Sequence, residues 1–294
     1  IKPVYYLVLA MPAVLIGELM HADPILLFVL ACAGLIPLAG LIGEATEALA
    51  HVTGPRIGGL LNATLGNAAE LIITIVAINA GLLDLVKASI TGSIIGNLLL
   101  VMGASLLLGG LKNGTQKFHR AHVGNNATML VLAVVALAIP SLLNHTLEGD
   151  LLPIATLESI SLGVAVVMIV LYALGLYFAF RGVSGGTALA HAGGAPSEAP
   201  TWSVRTSLIM LAIATLATVW LSEVLVGEVE AVTAQFGLSE FFIGIILVPI
   251  IGNVAEHLVA VQVALKDKMD LSLEIALGSS LQIALFVAPV LVFV

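Results

Sequence analysis

The sequence predicts an all-α integral membrane protein built from inverted-topology repeats of transmembrane helices. Hydrophobic residues make up 60% of the chain and charged residues only 10%, and the mean hydropathy is +1.16. Soluble domains carry about a quarter charged residues, so this composition excludes a soluble protein. Two further observations support the prediction, namely a series of long apolar segments and an internal duplication.

Nine segments are apolar and long enough to be predicted as membrane spans, each of which needs roughly 20 residues. The second and the sixth exceed that length, so we expect them to tilt, bend or protrude. The nine segments cover residues 4–20, 24–50, 56–80, 84–109, 122–140, 153–180, 204–223, 238–265 and 270–294.

The basic residues predict the orientation of these spans. If successive connections alternate between the two sides of the membrane, nine of the ten Lys and Arg residues fall on one side and only Lys87 on the other. Cytoplasmic connections carry the excess of basic residues, so the N-terminus is predicted to be cytoplasmic. The nine residues are Lys2, Arg56, Lys112, Lys117, Arg120, Arg181, Arg205, Lys266 and Lys268.

The internal duplication contains two copies of a short polar string. Gly66-Asn67-Ala68-Ala69-Glu70 recurs 186 positions later as Gly252-Asn253-Val254-Ala255-Glu256. The same offset also relates Asp84 to Asp270, Leu85 to Leu271, Gly92 to Gly278 and Ser93 to Ser279. The copies lie on the third and the eighth predicted spans, with four spans between them, so they must run in opposite directions. Inverted repeats of this kind are typical of secondary transporters.

The duplication also defines the predicted domain organisation. We expect a leading helix in residues 1–22, a first repeat of five helices in 23–180 and a second, inverted repeat in 204–294. Residues 181–203 are polar and rich in Gly, Ala and Pro, so they are predicted to be the linker between the repeats.

Each polar string predicts an ion site. Asn and Glu are three residues apart, so both side chains lie on one face of a helix, and Glu70 and Glu256 both fall near the middle of their spans. A carboxylate at that depth is costly and marks an ion pathway by default. Gly66 and Gly252 permit either close helix packing or a break that frees backbone carbonyls. Pro249 is expected to reinforce such a break in the second copy.

The oxygen atoms around these strings favour calcium. Two carboxylates, the amides of Asn67 and Asn253 and freed carbonyls would give the six to eight oxygens that Ca²⁺ prefers. The following helices add Ser93 with Asn97, and Ser279 with Gln282. The alignment pairs Asn97 with Ile283 and Gln282 with Gly96, so the site is predicted to be only pseudo-symmetric. The alternative is that these polar side chains simply bond to neighbouring helices.

Other titratable residues are secondary candidates. Glu44 and Glu47 lie near the cytoplasmic end of the second span. Glu223, Glu228 and Glu230 lie near the outer end of the seventh span, on the opposite side of the membrane. Such acidic clusters could concentrate cations at the two mouths of a pathway, or they could be ordinary solvated helix ends. His257, next to Glu256, is a candidate for proton coupling or for a packing contact.

Composition and motifs also exclude several function classes. The net charge of −8 argues against nucleic acid as a partner, and the single cysteine, Cys32, excludes a disulfide framework or a cysteine-based metal site. A His-Glu-x-x-His string is absent, so an intramembrane metalloprotease is a poor interpretation. We predict that the protein is not an enzyme and uses no organic cofactor.

These strings resemble the cation/proton exchanger branch of the calcium:cation antiporter superfamily. The resemblance extends from Gly58-Gly59-Leu60-Leu61-Asn62-Ala63-Thr64, before the first copy, to Gly92-Ser93-Ile94-Ile95-Gly96-Asn97 after it. It implies that Glu70 and Glu256 carry calcium and protons. The family has eleven helices, a leading helix and two repeats of five. The second repeat here has only three predicted helices before Val294, so we expect it to be incomplete.

The predicted function is therefore secondary active exchange of Ca²⁺ for H⁺ by alternating access. A Na⁺/Ca²⁺ exchanger is the first alternative and a passive cation channel is the second. The expected partners are the lipid bilayer and the two ions. The expected location is a prokaryotic cell membrane, or a vacuolar membrane if the protein is eukaryotic.

Overall fold

The computed structural model describes residues 3–146, 154–180 and 202–294, and within these ranges the chain is helical and contains no β-strand. Most of the predicted linker, residues 181–201, lies outside the described residues. The helices are α1 (Ala10–Leu19, after a 3₁₀ segment Pro3–Leu9), α2 (Pro24–Gly54), α3a (Ile57–Leu65), α3b (Ala68–Asn79), α4 (Leu83–Asn113), α5 (Arg120–Thr146), α6 (Ile154–Phe180), α7 (Val204–Phe236), α8 (Glu240–Leu265) and α9 (Met269–Val292).

These helices correspond in order to the nine predicted spans, although not all are full-length straight helices. Seven of the described helices are long and apolar enough to cross a membrane, and the bent pair α3a–α3b adds an eighth candidate. The apolar stretch Tyr5–Leu19 is shorter. The all-α membrane fold is confirmed, with a count of full-length spans slightly below nine.

The two polar strings differ in backbone geometry. In the first copy the helix breaks at Gly66 and Asn67, where α3a and α3b meet at 40°. In the second copy the helix is continuous from Val248 to Leu265. The predicted break beside Pro249 is therefore wrong. A π-helical turn, Ile243–Leu247, directly precedes Pro249. Its extra residue loosens the ladder of backbone hydrogen bonds just where proline lacks an N–H.

The connections between helices show that the repeats are inverted. The α4–α5 connection lies against the end of α8: the side-chain amides of Asn113 and Gln116 donate to the Ala264 carbonyl at 3.0 and 2.9 Å. The ends of α4 and α8 therefore share one side of the protein. Because α3b leads into the start of α4, at its opposite end, α3b and α8 run in opposite directions. We call the shared side the basic face, because it carries Lys112, Lys117, Arg120, Lys266 and Lys268.

Two glycines bring the repeats into backbone contact. A Cβ on Gly92 of α4 would overlap the Ile245 carbonyl of α8, and one on Gly244 of α8 would lie 2.5 Å from the Leu85 carbonyl of α4. Only glycine leaves room for this crossing, which fixes α4 against α8 on the side of the polar strings that is away from the basic face. Around it, α2 packs along α7 through buried side chains such as Leu35, Leu221 and Leu225.

Candidate ion-binding site

Glu70 is held at the break in the first copy. It lies in the first turn of α3b and is 1% exposed. The N-terminal end of a helix carries a partial positive charge that stabilises an anion. The break therefore places a buried carboxylate where the backbone itself partly compensates its charge.

Side chains from both repeats contact the Glu70 carboxylate. The Ser93 hydroxyl of α4 donates to Oε1, and the Asn253 amide of α8 lies 3.4 Å from Oε2. The same amide donates to the Pro249 carbonyl at 3.1 Å. Gly252 packs against Glu70, since a Cβ there would lie 3.5 Å from the glutamate Cβ. The two strings thus touch each other directly.

Asn67 forms a second contact between the repeats. Its amide donates to Gln282 Oε1 of α9 at 2.7 Å, and its carbonyl oxygen accepts from the Ser279 hydroxyl at 3.3 Å. Gly66 lies beside the same Gln282, because a Cβ on it would be 3.2 Å from Oε1. Both Asn67 and Gln282 are buried, so these amide oxygens are shielded from bulk water.

Glu256 completes the site. Its Oε2 is buried and accepts no hydrogen bond within the described part of the chain, and Ser279 interacts with its carboxyl group. Glu256 is close enough to Glu70 for the two charges to interact. Two carboxylates from oppositely directed helices therefore lie near each other, Glu70 buried and Glu256 half-buried.

His257, which follows Glu256 in the chain, forms a pair with Asn97 of α4. His257 Nε2 lies 3.1 Å from Asn97 Oδ1, and the Asn97 amide nitrogen is buried without a partner among the described residues. The repeat equivalents of His257 and Asn97 are Leu71 and Ile283, which are apolar. The pair is thus a real asymmetry between two otherwise related halves.

Contacts and electrostatic interactions join nine of the ten residues predicted as metal ligands, and the tenth, Asn97, contacts His257 beside Glu256. The donor atoms are carboxylate, amide, hydroxyl and backbone oxygens, the set that a hard cation such as Ca²⁺ prefers. No cluster of three or more His, Cys, Asp or Glu suited to a metal occurs among the described residues. A cation bound here would therefore need neutral oxygen ligands in addition to the two carboxylates. The ten residues are Gly66, Asn67, Glu70, Ser93, Asn97, Gly252, Asn253, Glu256, Ser279 and Gln282.

Comparison with known proteins identifies the family. The model of the sodium/calcium exchanger protein family matches residues 24–181 and 206–294. The chain belongs to this family. The exchanger is 45% identical to a Ca²⁺/H⁺ antiporter of Aphanothece halophytica, across 97% of this chain and 79% of the relative. It is 46% identical to the Ca²⁺/H⁺ antiporter ChaA of Bacillus subtilis, across 96% and 79%. The resemblance predicted from the polar strings is confirmed.

Solved structures agree with this assignment. The exchanger superposes on native YfkE with a TM-score of 0.82 at 41% identity, covering 99% of this chain and 81% of that one. It also superposes on the H⁺/Ca²⁺ exchanger CAX with a TM-score of 0.72, covering 97% and 71%. The latter is only 14% identical, so it supports the fold alone.

The predicted acidic clusters lie on α2 and α7, outside the two polar strings. Glu44 and Glu47 are half-buried within α2, and Glu44 bonds to the Tyr5 hydroxyl. Glu228 is half-buried near Glu18 and Asp23. The remaining two members of the α7 cluster, Glu223 and Glu230, are exposed.

Two contacts made by aromatic side chains were not predicted. The Tyr172 hydroxyl of α6 donates to the Ala63 carbonyl of α3a at 2.5 Å, just before the break, and elsewhere in the protein the Trp220 indole donates to Glu18 at 3.1 Å. Single aromatic residues in apolar helices give no sequence signal for such partners. A four-residue spacing of polar residues on α4, in contrast, was visible at Ser89, Ser93 and Asn97.

Proposed function

We propose that the protein exchanges Ca²⁺ for H⁺ across a membrane by alternating access. The antiporters that are 45% and 46% identical to this chain support the exchange of these two ions. The observation that supports the mechanism is the interaction of the buried Glu70 with the half-buried Glu256, which comes from the oppositely directed repeat.

The cost of buried charge couples the two ions. A pair of bare carboxylates inside a membrane is expensive. Either one Ca²⁺ or two protons neutralise it, so the protein changes between its two open states only when one of them is bound. This requirement produces exchange and suppresses leak.

The ligands of Ca²⁺ in this proposal come from both repeats. Glu70 and Glu256 supply the charge, and amide oxygens complete the coordination that Ca²⁺ needs. Asn67 and Gln282 are already bonded to each other, so they orient their oxygens before the ion arrives. The further ligands we propose are Asn253, Asn97, Ser93, Ser279 and the carbonyl of Gly66 at the break. The carbonyl of Gly252 lies inside the continuous helix α8, where the helical hydrogen bonds use it, so we do not propose it as a ligand.

His257 is proposed to assist proton transfer. Asn97 Oδ1 can only accept a hydrogen bond, so His257 donates from Nε2 in this pair and its Nδ1 is left to exchange a proton. Its place next to Glu256 in the chain would let it pass a proton to or from that carboxylate.

We further propose the direction and the route of transport. The basic face is cytoplasmic by the positive-inside rule, so Ca²⁺ leaves the cytoplasm as protons enter. Glu44 and Glu47 on one side, and Glu223, Glu228 and Glu230 on the other, would attract cations to the two mouths. We also propose that the two repeats comprise residues 23–180 and 204–294. The membrane we propose for this exchanger is the prokaryotic cell membrane.

Calcium uptake into inverted membrane vesicles tests the proposal. A proton gradient that is acid inside the vesicles should drive ⁴⁵Ca²⁺ uptake. Glu70→Gln or Glu256→Gln should reduce this uptake to the level of vesicles without the protein. Glu240→Gln, at the start of the same helix as Glu256, is the matched control and should retain uptake. Normal transport by either site variant would overturn the proposal. Uptake driven only by a sodium gradient would support a Na⁺/Ca²⁺ exchanger. Uptake without a proton or sodium gradient would support a channel.

A further inference from the structure

The two polar strings differ in the group that bonds to the carbonyl four residues before each asparagine. Asn67 and Asn253 are repeat equivalents, and so are the residues that carry these carbonyls, Ala63 and Pro249. In the second copy the Asn253 side-chain amide donates to the Pro249 carbonyl of its own helix at 3.1 Å. In the first copy the Asn67 amide donates instead to Gln282 of α9 at 2.7 Å. The Asn67 side chain is thus turned away from the carbonyl that corresponds to the one used by Asn253.

A tyrosine from another helix bonds to this carbonyl in the first copy. The Tyr172 hydroxyl of α6 donates to the Ala63 carbonyl at 2.5 Å. Because α3a ends at Leu65, the Ala63 carbonyl is one of the last four of the helix, which lack partners within it. Tyr172 is 4% exposed and Ala63 is 2% exposed, and both belong to one buried cluster. The hydroxyl therefore satisfies a carbonyl that the break has freed in a place shielded from bulk water.

The ring of the same tyrosine contacts the helix that holds Asn67. It stacks on Phe286 of α9 with ring centroids 5.2 Å apart. Phe286 lies about one turn beyond Gln282, the partner of Asn67, and Ala63 lies about one turn before Asn67. Two hydrogen bonds and one ring contact therefore link α3a, α6 and α9 in a closed circuit around the break.

The geometry of the second copy indicates what the hydroxyl prevents. Short polar side chains often bond to the carbonyl four residues before them, as Asn253 does to Pro249. Without the hydroxyl, the Ala63 carbonyl would be a buried acceptor without a partner, which is costly. The Asn67 amide could satisfy it only by turning back along its own chain and leaving Gln282. The Asn67 oxygen would then move away from its present position.

We infer that Tyr172 is a positioning residue of the ion site. Its hydroxyl occupies the Ala63 carbonyl and so keeps the Asn67 side chain on α9, in the orientation proposed for Ca²⁺ binding. Tyr172 acts through Asn67 and is not itself a ligand. This inference rests on the proposed function, in which Asn67 is one of the ligands, but the orientation of Asn67 can be measured without transport.

Removal of the hydroxyl alone gives the first test. Tyr172→Phe keeps the ring and its contact with Phe286, and it should weaken Ca²⁺ binding roughly two- to twelvefold, the value of one hydrogen bond. Tyr177→Phe is the matched control, because Tyr177 lies on the same helix but is 48% exposed. It should keep the affinity of the unmodified protein. Calorimetric Ca²⁺ titration measures both affinities, and thermal unfolding in detergent shows that both variants are folded. Unchanged affinity of folded Tyr172→Phe protein would overturn the inference.

A double-mutant cycle separates positioning from a merely structural role. Asn67→Ala removes the side chain that Tyr172 is inferred to hold, so adding Tyr172→Phe to it should cause no further loss of Ca²⁺ affinity. A hydroxyl that only stabilises the packing of α6 would weaken binding by the same factor with and without Asn67. Equal factors in the two backgrounds would therefore overturn the inference.

A crystal structure of Tyr172→Phe protein gives a direct test that needs no Ca²⁺. The Asn67 amide should lie within hydrogen-bond distance of the Ala63 carbonyl, and its bond to Gln282 should be broken. The first copy would then match the arrangement of Asn253 and Pro249. An Asn67 amide that stays on Gln282 would overturn the inference, even if Asn67→Ala protein binds Ca²⁺ too weakly for the cycle to be measured.

The outcomes distinguish this inference from the proposed function. Normal transport by Glu70→Gln or Glu256→Gln protein would overturn the proposed ion site. A turned Asn67 in Tyr172→Phe protein would even then show that Tyr172 sets the orientation of this side chain. Loss of transport in both glutamate variants, together with unchanged Ca²⁺ affinity of Tyr172→Phe protein, would support the ion site and overturn the role of Tyr172.

Discussion

Helices α4 and α9 occupy equivalent positions in the two repeats, yet their surroundings differ greatly. In the most apolar stretch of α4, 28% of the residues are buried, whereas the corresponding value for α9 is 83%. Both helices nevertheless contain a π-helical turn at the same register, Gly96–Val101 in α4 and Ile283–Val287 in α9. The π-helical turn is therefore present both where the helix is covered and where it is exposed.

The difference in burial has a clear cause. Helices α5 and α6 of the first repeat cover α9, where Tyr172 stacks on Phe286 at 5.2 Å. Among the described residues, no helix covers the corresponding face of α4, where Leu99, Leu107 and Leu111 are more than half exposed. The burial of α9 therefore depends on helices of the other repeat and not on its own sequence alone.

A matched pair of leucines gives the largest expected contrast. Leu285 of α9 is 2% exposed, and its repeat equivalent in α4, Leu99, is 72% exposed. Leu285→Ala should lower the free energy of unfolding by about 2–5 kcal/mol because it leaves a cavity. Leu99→Ala should change it by no more than about 0.5 kcal/mol. Thermal unfolding of the purified variants in detergent measures both changes in stability. Equal losses of stability would show that the difference in burial does not affect the free energy of unfolding.

The buried face of α4 should be sensitive where the exposed face is not. Gly92→Ala would force a Cβ against the Ile245 carbonyl, whereas Gly103→Ala meets no atom within 4 Å. Overpacking of this kind costs about 1–3 kcal/mol, so only the first variant should melt earlier. Because Gly92 fixes α4 against α8, the same variant should also weaken Ca²⁺ binding. Unchanged melting of Gly92→Ala would mean that the two backbones separate freely.

The membrane fold and the contact between the two polar strings could be predicted from the sequence for a physical reason. A duplicated Gly-Asn-x-x-Glu string and long apolar segments are local patterns, and the membrane restricts the structures that can carry them. The unbroken α8 was not predictable, because the effect of Pro249 depends on a π-helical turn that has no clear sequence signal. The Asn67–Gln282 bond was equally hidden, since Gln282 aligns with Gly96 and only tertiary packing shows its partner.

That asymmetric bond gives the third prediction. Gln282→Ala would leave the Asn67 amide without its 2.7 Å partner on α9, and α4 has no residue to replace it. Loss of one such hydrogen bond costs about 0.5–1.5 kcal/mol, or roughly two- to twelvefold in Ca²⁺ affinity. Ser280→Ala is the control, because its hydroxyl bonds only to the Ala276 carbonyl of the same helix. Calorimetric Ca²⁺ titration should separate the two variants, and equal affinities would remove Gln282 from the site.

The smallest effect is expected at the starts of the two helices. Asp270 of α9 accepts from the His119 backbone N–H at 2.6 Å, and its other oxygen lies 2.7 Å from the His119 ring. Its repeat equivalent, Asp84 of α4, is exposed on the opposite side of the protein. Because His119 is 82% exposed and Asp270 41% exposed, solvent weakens their attraction. Asp270→Asn should therefore cost at most about 1 kcal/mol, and less at high salt. Asp84→Asn should cost nothing measurable in the same melting experiment. A larger loss at Asp84 would show that the start of α4 is held as firmly as that of α9.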